Sequence, residues 1–368
     1  MAPDAALPIA PHRFQQFHGA GLCIVRNHGQ GNVATFSHLS FTFPLKLISP
    51  RSTSRDAVAR IERHRQGERT PVKAVAALYV VGYGGGLVSG DTIQMDLDVG
   101  CHCTLLLLTQ GSTKVFKMRD TPGKGRARDD NNGAGTLTTS QTMRCIVRRN
   151  AALVVLPDPV TCYAASRYKQ IQRFDVQCAH TSTLVLLDWF TPGRVFLGAP
   201  QGVGTSWPRE RWAFDSYTSR NEIRVEGEGV AHDVLLLEQD EHADNAIAQK
   251  CEPYSCYATL FLLGPDVQAA IGAFKARFDA IQQRVKPPQQ AGALATPSQG
   301  PADAAQEEAD VLWRCSPMTR TEEQGLDTGW IVVRVAGTTT EAVRVWLRRH
   351  LASLKGLIGD DLYRQALG

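Results

Sequence analysis

The sequence predicts a mainly β protein, a core of short strands in a long ladder of sheet, with two α-helices in the second half of the chain. Three observations carry this expectation. Through the first two thirds, β-branched and aromatic residues come in short runs punctuated by Gly, Pro, Asn and Asp. One run alternates Ile93, Met95, Leu97 and Val99 with Thr92, Gln94, Asp96 and Asp98, the two-residue period of a strand with one buried and one polar face. Two late stretches instead repeat apolar residues at steps of three and four, the period of an amphipathic helix.

Taken in order, the expected strands are Gly21–Arg26, Val33–Phe43, Ala74–Val81, Thr92–Val99, Cys103–Thr109, Thr136–Arg148, Tyr168–Gln177, Ser182–Asp188, Asn221–Val225 and His232–Glu238. The first helix is expected over Asp266–Val285, where Val267, Ile271, Phe274, Phe278, Ile281 and Val285 form one stripe. Pro265 suits its start, because the missing N–H would be unsatisfied there anyway, and Pro287 and Pro288 stop it. The second helix is expected over Thr340–Lys355, with Val343, Leu347, Leu351 and Leu354 on one side, Arg344, Arg348 and Arg349 on the other, and Gly356 closing it. Residues 49–71, 119–135 and 286–310 read as mobile inserts, since their composition buries too little apolar surface to offset the entropy of ordering. The expectation is one domain spanning 1–368, with these three segments at its surface.

With 43% apolar and 21% charged residues in 368, the chain can bury a sizeable core. Its 40 basic and 36 acidic residues nearly cancel, which argues against a nucleic-acid binder. Nine scattered cysteines without a C-x-x-C pair fit neither a disulfide framework nor a zinc finger, so a reducing compartment is expected. The N-terminus lacks the basic and apolar segments of a secretory signal, and aliphatic runs such as Leu105 to Leu108 are too short to span a bilayer. A cytoplasmic protein is the expectation.

The strongest local signal is Gly82-Tyr-Gly-Gly-Gly-Leu-Val-Ser-Gly-Asp91, a glycine-rich turn between two strands. A loop over Gly84–Asp91 holding a phosphate-bearing ligand is the enzyme reading, but that chemistry needs Lys then Ser or Thr after the last glycine, and a helix to aim N–H groups at the phosphate. Here Gly90 is followed by Asp91, whose charge repels phosphate. The plainer alternative is a structural turn. Next, Thr109-Gln-Gly-Ser-Thr-Lys-Val-Phe-Lys117 offers Gln110 and Lys114 as a polar seat for a ligand or a partner loop, or as a satisfied polar turn. No G-x-S-x-G elbow supports a hydrolase.

The order of these two stretches resembles the signature of UreD-type urease accessory proteins. The likeness continues through Leu156-Pro-Asp-Pro-Val-Thr-Cys162, Ser166-Arg-Tyr-Lys-Gln170, Leu186-Leu-Asp-Trp-Phe-Thr-Pro-Gly-Arg194 and Glu210-Arg-Trp-Ala-Phe-Asp-Ser-Tyr-Thr-Ser-Arg-Asn-Glu222. Ordered motifs thus cover roughly Gly82 to Glu222, and the Leu-Pro-Asp-Pro variant is similar to the eukaryotic, fungal-like branch. The resemblance implies a β-helix-like fold of stacked sheets with two late helices. It implies a non-catalytic role in nickel delivery to apo-urease, beside a helical accessory protein of the UreF type and a nickel-carrying GTPase of the UreG type. No tightly bound cofactor is implied, only transient nickel.

Nickel accepts imidazole, carboxylate and thiolate ligands. Cys101-His-Cys103 is the one tight cluster of such residues. On a strand its two sulfurs would share a face while His102 points away, so it is a weak metal candidate, and a buried Cys behaves as a small hydrophobe. Asp91, Glu210 and Glu222 are candidates to line a polar passage for a hydrated metal ion, or otherwise to cap turns and pair with Arg194, Arg211 or Arg220. Gly85, Gly86, Gln110, Lys114 and Arg194 complete the expected passage or partner-binding set.

Overall fold

Through the middle of the chain the long parallel strands alternate between two sheets, and this alternation organises the core. The computed structural model describes residues 18–28, 33–50, 73–118, 138–194, 210–240, 246–285 (side chains to 281), 310–318 and 329–368. The expected inserts therefore lie outside the described residues, apart from 49, 50 and 310. The strands are β1 (Ala20–His28), β2 (Val33–Phe41), β3 (Leu45–Ile48), β4 (Ala74–Gly82), β5 (Thr92–Val99), β6 (Cys103–Thr109), β7 (Thr113–Val115), β8 (Thr139–Val147) and β9 (Ala152–Val155). They continue with β10 (Val160–Cys162), β11 (Arg167–Val176), β12 (Thr183–Thr191), β13 (Ser216–Val225), β14 (Glu228–Glu238), β15 (Cys256–Leu263), β16 (Val311–Pro317) and β17 (Ile331–Gly337).

Sheet A runs β14-β13-β11-β8-β5-β1-β2, and sheet B runs β16-β17-β15-β12-β9-β6-β4-β3 with β7 and β10 attached. Within A, β5, β8, β11 and β13 are parallel; within B, β4, β6, β9 and β12 are parallel. Along β4, β5, β6, β8, β9, β11, β12 and β13 the chain passes from one sheet to the other at each step, so these coils stack as in a β-helix, as the family resemblance implied. The turns from A to B are tight. His102 and Asn150 adopt φ of 60° and 56° there, and the His102 N–H donates to the Asn150 carbonyl of the next coil at 3.1 Å.

Helices cover the far face of sheet B and explain its sequence. Leu105 and Leu107 point between the sheets, while Leu106 and Leu108 point towards the helices, so β6 reads as an unbroken apolar run. The helical layer comprises α2 (Gln268–Val285), α3 (Thr340–His350), α4 (Lys355–Ile358) and α5 (Asp360–Leu367), with a short α1 (Ala246–Cys251) earlier in the chain. The α2 stripe buries Val267, Ile271 and Phe274 and half-buries Phe278 and Ile281. The Thr339 side chain caps α3 by accepting from the Ala342 N–H at 3.0 Å.

Several expectations are corrected. The second helix ends at His350, and Gly356 lies inside α4; the stop is Gly359, at φ 93°. The strand Thr92–Val99 has the expected bounds, but its polar face is solvated only at Thr92 and Gln94, because Asp96 and Asp98 are both buried. Arg344, on the side of the helix opposite to its apolar stripe, pairs with Asp158 at 2.7 Å. Sequence reading also missed β3, β7, β9, β10, β15, β16 and β17, and three of the helices.

Candidate functional site

Sheet B is interrupted at one level in successive coils. Between Gly82 and Leu87, between Thr109 and Thr113 and between Val155 and Val160 the ladder stops, then resumes through parallel pairing of Leu87 with Val115, of β7 with β10 and of β10 with the end of β12. The first three motifs of the family resemblance thus stack upon one another. Hydrogen bonds tie the breaks together: the Asp158 N–H donates to Thr109 Oγ1 at 2.8 Å, and the Thr113 N–H to the Pro159 carbonyl at 3.2 Å. β12, paired with β15 from Leu184 to Phe190, runs straight past them and carries Asp188 into the space between the sheets.

That space is a cavity of about 50 Å³, with Thr109, Thr113, Gln141, Asp158, Gln170, Gln172 and Asp188 as polar lining and Tyr168, Met95 and Met143 among its other walls. This volume holds a few water molecules. Gln170 and Gln172 occupy inward positions of β11 that alternation would give to apolar residues. Asp188 accepts from Ser219 Oγ at 2.5 Å, Asn221 Nδ2 at 2.8 Å and Gln170 Nε2 at 3.1 Å, all uncharged donors. Burial pushes its pKa up, these hydrogen bonds oppose the shift, and nearby Asp233 adds to it. Close by, the buried Tyr217 hydroxyl and Asn221 Oδ1 have no hydrogen-bond partner among the described residues. Asp188 also lines a second, open cleft of about 850 Å³, so it stands between the chamber and the surface.

The residues singled out from sequence fall into separate networks. Gly85 adopts φ +76° in open space, whereas Gly86 is needed for close approach: a Cβ there would lie 2.6 Å from the Lys114 carbonyl oxygen. Gly86 and Lys114 are therefore brought together, with the Lys114 and Gln110 side chains exposed. Asp91 caps its own turn, accepting from the Val88 N–H at 2.9 Å. Arg194 and Glu210 form a two-point ion pair, with Arg194 Nε donating at 2.7 Å and the guanidinium 4.7 Å from the centre of the Tyr163 ring. Glu222 lies on the outer side of β13, opposite to Asn221, and pairs with Arg173 at 2.9 Å and with Arg220. Its partial desolvation works to raise its pKa, but the Arg173 and Arg220 guanidiniums outweigh that and hold the carboxyl below its usual range. None of these three carboxylates lines the chamber.

The Cys101–Cys103 pair does not share a face. The strand begins only at Cys103, because His102 turns the chain through a left-handed conformation; Cys101 is exposed, and burial pushes the Cys103 thiol up to about 12. Among the described residues, no three His, Cys, Asp or Glu side chains gather to hold a metal ion. The glycine-rich loop leads into strand β5, not a helix, and the phosphate-loop alternative gains no support. No described helix is long and apolar enough to cross a membrane. Sequence reasoning missed Asp188, although one acid inside the apolar run Leu184–Phe190 was a signal that could have found it.

Stacked parallel coils around a polar chamber, backed by a helical layer, define a β-solenoid-like scaffold. A family model described as UreD urease accessory protein matches residues 20–365, and the chain belongs to that family, which gives it an accessory role in urease maturation. Similar proteins include Urease accessory protein D of Oryza sativa subsp. indica, 31% identical over 87% of this chain and 88% of the relative. Urease accessory protein UreD of Sorangium cellulosum is 32% identical over 86% of this chain and 75% of its own length. Urease accessory protein 4 of Cryptococcus neoformans var. grubii is 28% identical over 92% and 95%.

Proposed function

We propose that this chain is a non-catalytic cytoplasmic scaffold through whose interior nickel passes as cargo on its way to apo-urease. The observation that carries the reading is Asp188, a half-buried carboxylate with only neutral hydrogen-bond partners at the wall shared by the chamber and the cleft. Of the chamber's two lining carboxylates, Asp158 is taken by Arg344, which leaves Asp188, beside amide and hydroxyl oxygens, to attract a divalent cation. The chamber lacks the imidazole and thiolate ligands that would retain nickel tightly. The role of the chain's own residues is to exclude bulk water, present oxygen donors in sequence and keep one counter-charge in place. Nickel would be held transiently, with no resident cofactor. The partners are apo-urease, a helical accessory protein of the UreF type and a nickel-carrying GTPase of the UreG type.

The test is complementation of cells lacking this gene with wild-type chain or Asp188→Asn, followed by purification of urease and measurement of its nickel content. Asp188→Asn is expected to assemble with its partners normally yet lower the nickel per urease by about tenfold, the scale of losing one interaction of about 1.4 kcal/mol along the path. Full nickel loading with Asp188→Asn would remove the passage reading. Full loading without the gene would remove the scaffold reading as well.

A further inference from the structure

Sheet A ends at β14 and sheet B at β16, and among the described residues each of these strands has one unpaired edge. The sheets part there to form the cleft of about 850 Å³, whose walls include Phe190, Leu235, Tyr257 and Trp313. Leu312 and Val234, on the two edge strands, are 60% and 52% exposed. Exposed apolar side chains on free strand edges invite association unless a partner covers them.

The strand register gives this cleft a sign. Asp188 pairs with Thr259, Thr259 with Arg334 and Arg334 with Arg314, one row across four adjacent strands that sit about 4.8 Å apart. Exposure rises along the row from half-buried Asp188 and Thr259 to exposed Arg334 and Arg314. The cleft's charged residues are Lys250, Arg314, Arg334, Asp188 and Asp233. Asp233 is taken by Arg334, at 2.6 Å, and Asp188 is held by Ser219, Asn221 and Gln170. Lys250 and Arg314 have no carboxylate partner among the described residues and leave the rim cationic.

We propose that this cleft docks a segment of a partner protein in which acidic side chains stand beside apolar ones, the apolar groups entering between β14 and β16 and the carboxylates meeting Arg314 and Lys250. The free edges supply backbone N–H and C=O groups that an extended segment can pair with. The docking rests on the scaffold reading only for the choice of partners to test.

In the experiment, a photo-crosslinking residue replaces Leu312 in the full-length chain, which is mixed with purified apo-urease and the other two accessory proteins. The expected result is a crosslink to a segment of one of them that carries both acidic and apolar residues, and capture weakened about tenfold or more by Arg314→Glu with Lys250→Glu. Three results would overturn the proposal: a crosslink to residues 286–309 of the same chain, a crosslink to a second copy, or capture unchanged by the charge reversals but abolished by Phe43→Asp, in the exposed Phe43–Tyr83 ring pair beside the glycine-rich loop. Urease activation in the same mixtures keeps the two readings apart. Activation with no effect at the cleft removes only the docking site, whereas neither capture nor activation by wild-type chain removes both.

Discussion

Asp98 is buried and Asp188 half-buried, and their surroundings are opposite. Asp98, on the outer side of β5, is gripped by two guanidiniums, Arg26 Nη2 at 2.7 Å and Arg148 Nε at 2.7 Å. Its burial works to raise its pKa, but the hydrogen bonds from Arg148 and Arg26 outweigh that and hold it below the ordinary 3.8. Asp188 has only hydroxyl and amide donors, and burial leaves its pKa raised. A buried carboxylate with counter-ions locks strands together; one without them stays available to a cation that arrives from outside. Burial alone therefore does not separate a structural acid from a functional one, whereas the charge of its partners does.

The largest effect that should follow is from Asp98→Ala, which strands Arg148 and Arg26 without their shared counter-charge. Urea unfolding should show a loss of about 3–5 kcal/mol. A smaller change of the same origin appears with pH. Because the folded-state pKa of Asp98 is depressed, its contribution is present above the unfolded value of 3.8 and is lost as pH falls through the lower folded value. Stability measured downward from pH 5 should therefore fall less in Asp98→Ala than in the wild type. Asp188→Asn should behave in the opposite sense. A raised folded pKa means the ionised acid costs stability once pH exceeds it, so at neutral pH this variant should unfold at equal or higher urea, within about 1 kcal/mol. A large loss of stability there would make Asp188 a second Asp98 and erase the contrast. The smallest effect belongs to Glu222→Ala on the solvated outer face, where paired Arg173 and Arg220 are each nearly half exposed. Thermal unfolding should register a change of about 0–1 kcal/mol.

Much of this architecture is legible in the sequence where local rules act alone. The strand Thr92–Val99 and the α2 stripe follow from their periods, and the motif order identifies the family. Legibility fails where distant coils decide. Gln170 and Gln172 look like the polar face of a strand, yet they point inward because the breaks in sheet B leave a polar space opposite them. Asp188 resembles the end of an apolar strand, but β12 continues to Thr191 since β15 pairs along nearly its whole length. The C-terminal strands β15, β16 and β17 pair with one another or with β12, contacts that no local window contains. Glu210 and Glu222, by contrast, find partners among the arginines that sequence proximity suggested, Arg194 and Arg220.

The tight turns between sheets leave little freedom in chain length. One residue added beside His102 or Asn150 would rotate every side chain of the following strand to the opposite face, exchanging Leu105 and Leu107 for Leu106 and Leu108 across sheet B. Two of the returns from B to A carry no such constraint, one containing residues 119–137 and the other 195–209, between strands whose register is set by their neighbours. Insertions and deletions during descent can thus accumulate at one end of the coil stack, while the other end keeps count for the whole fold.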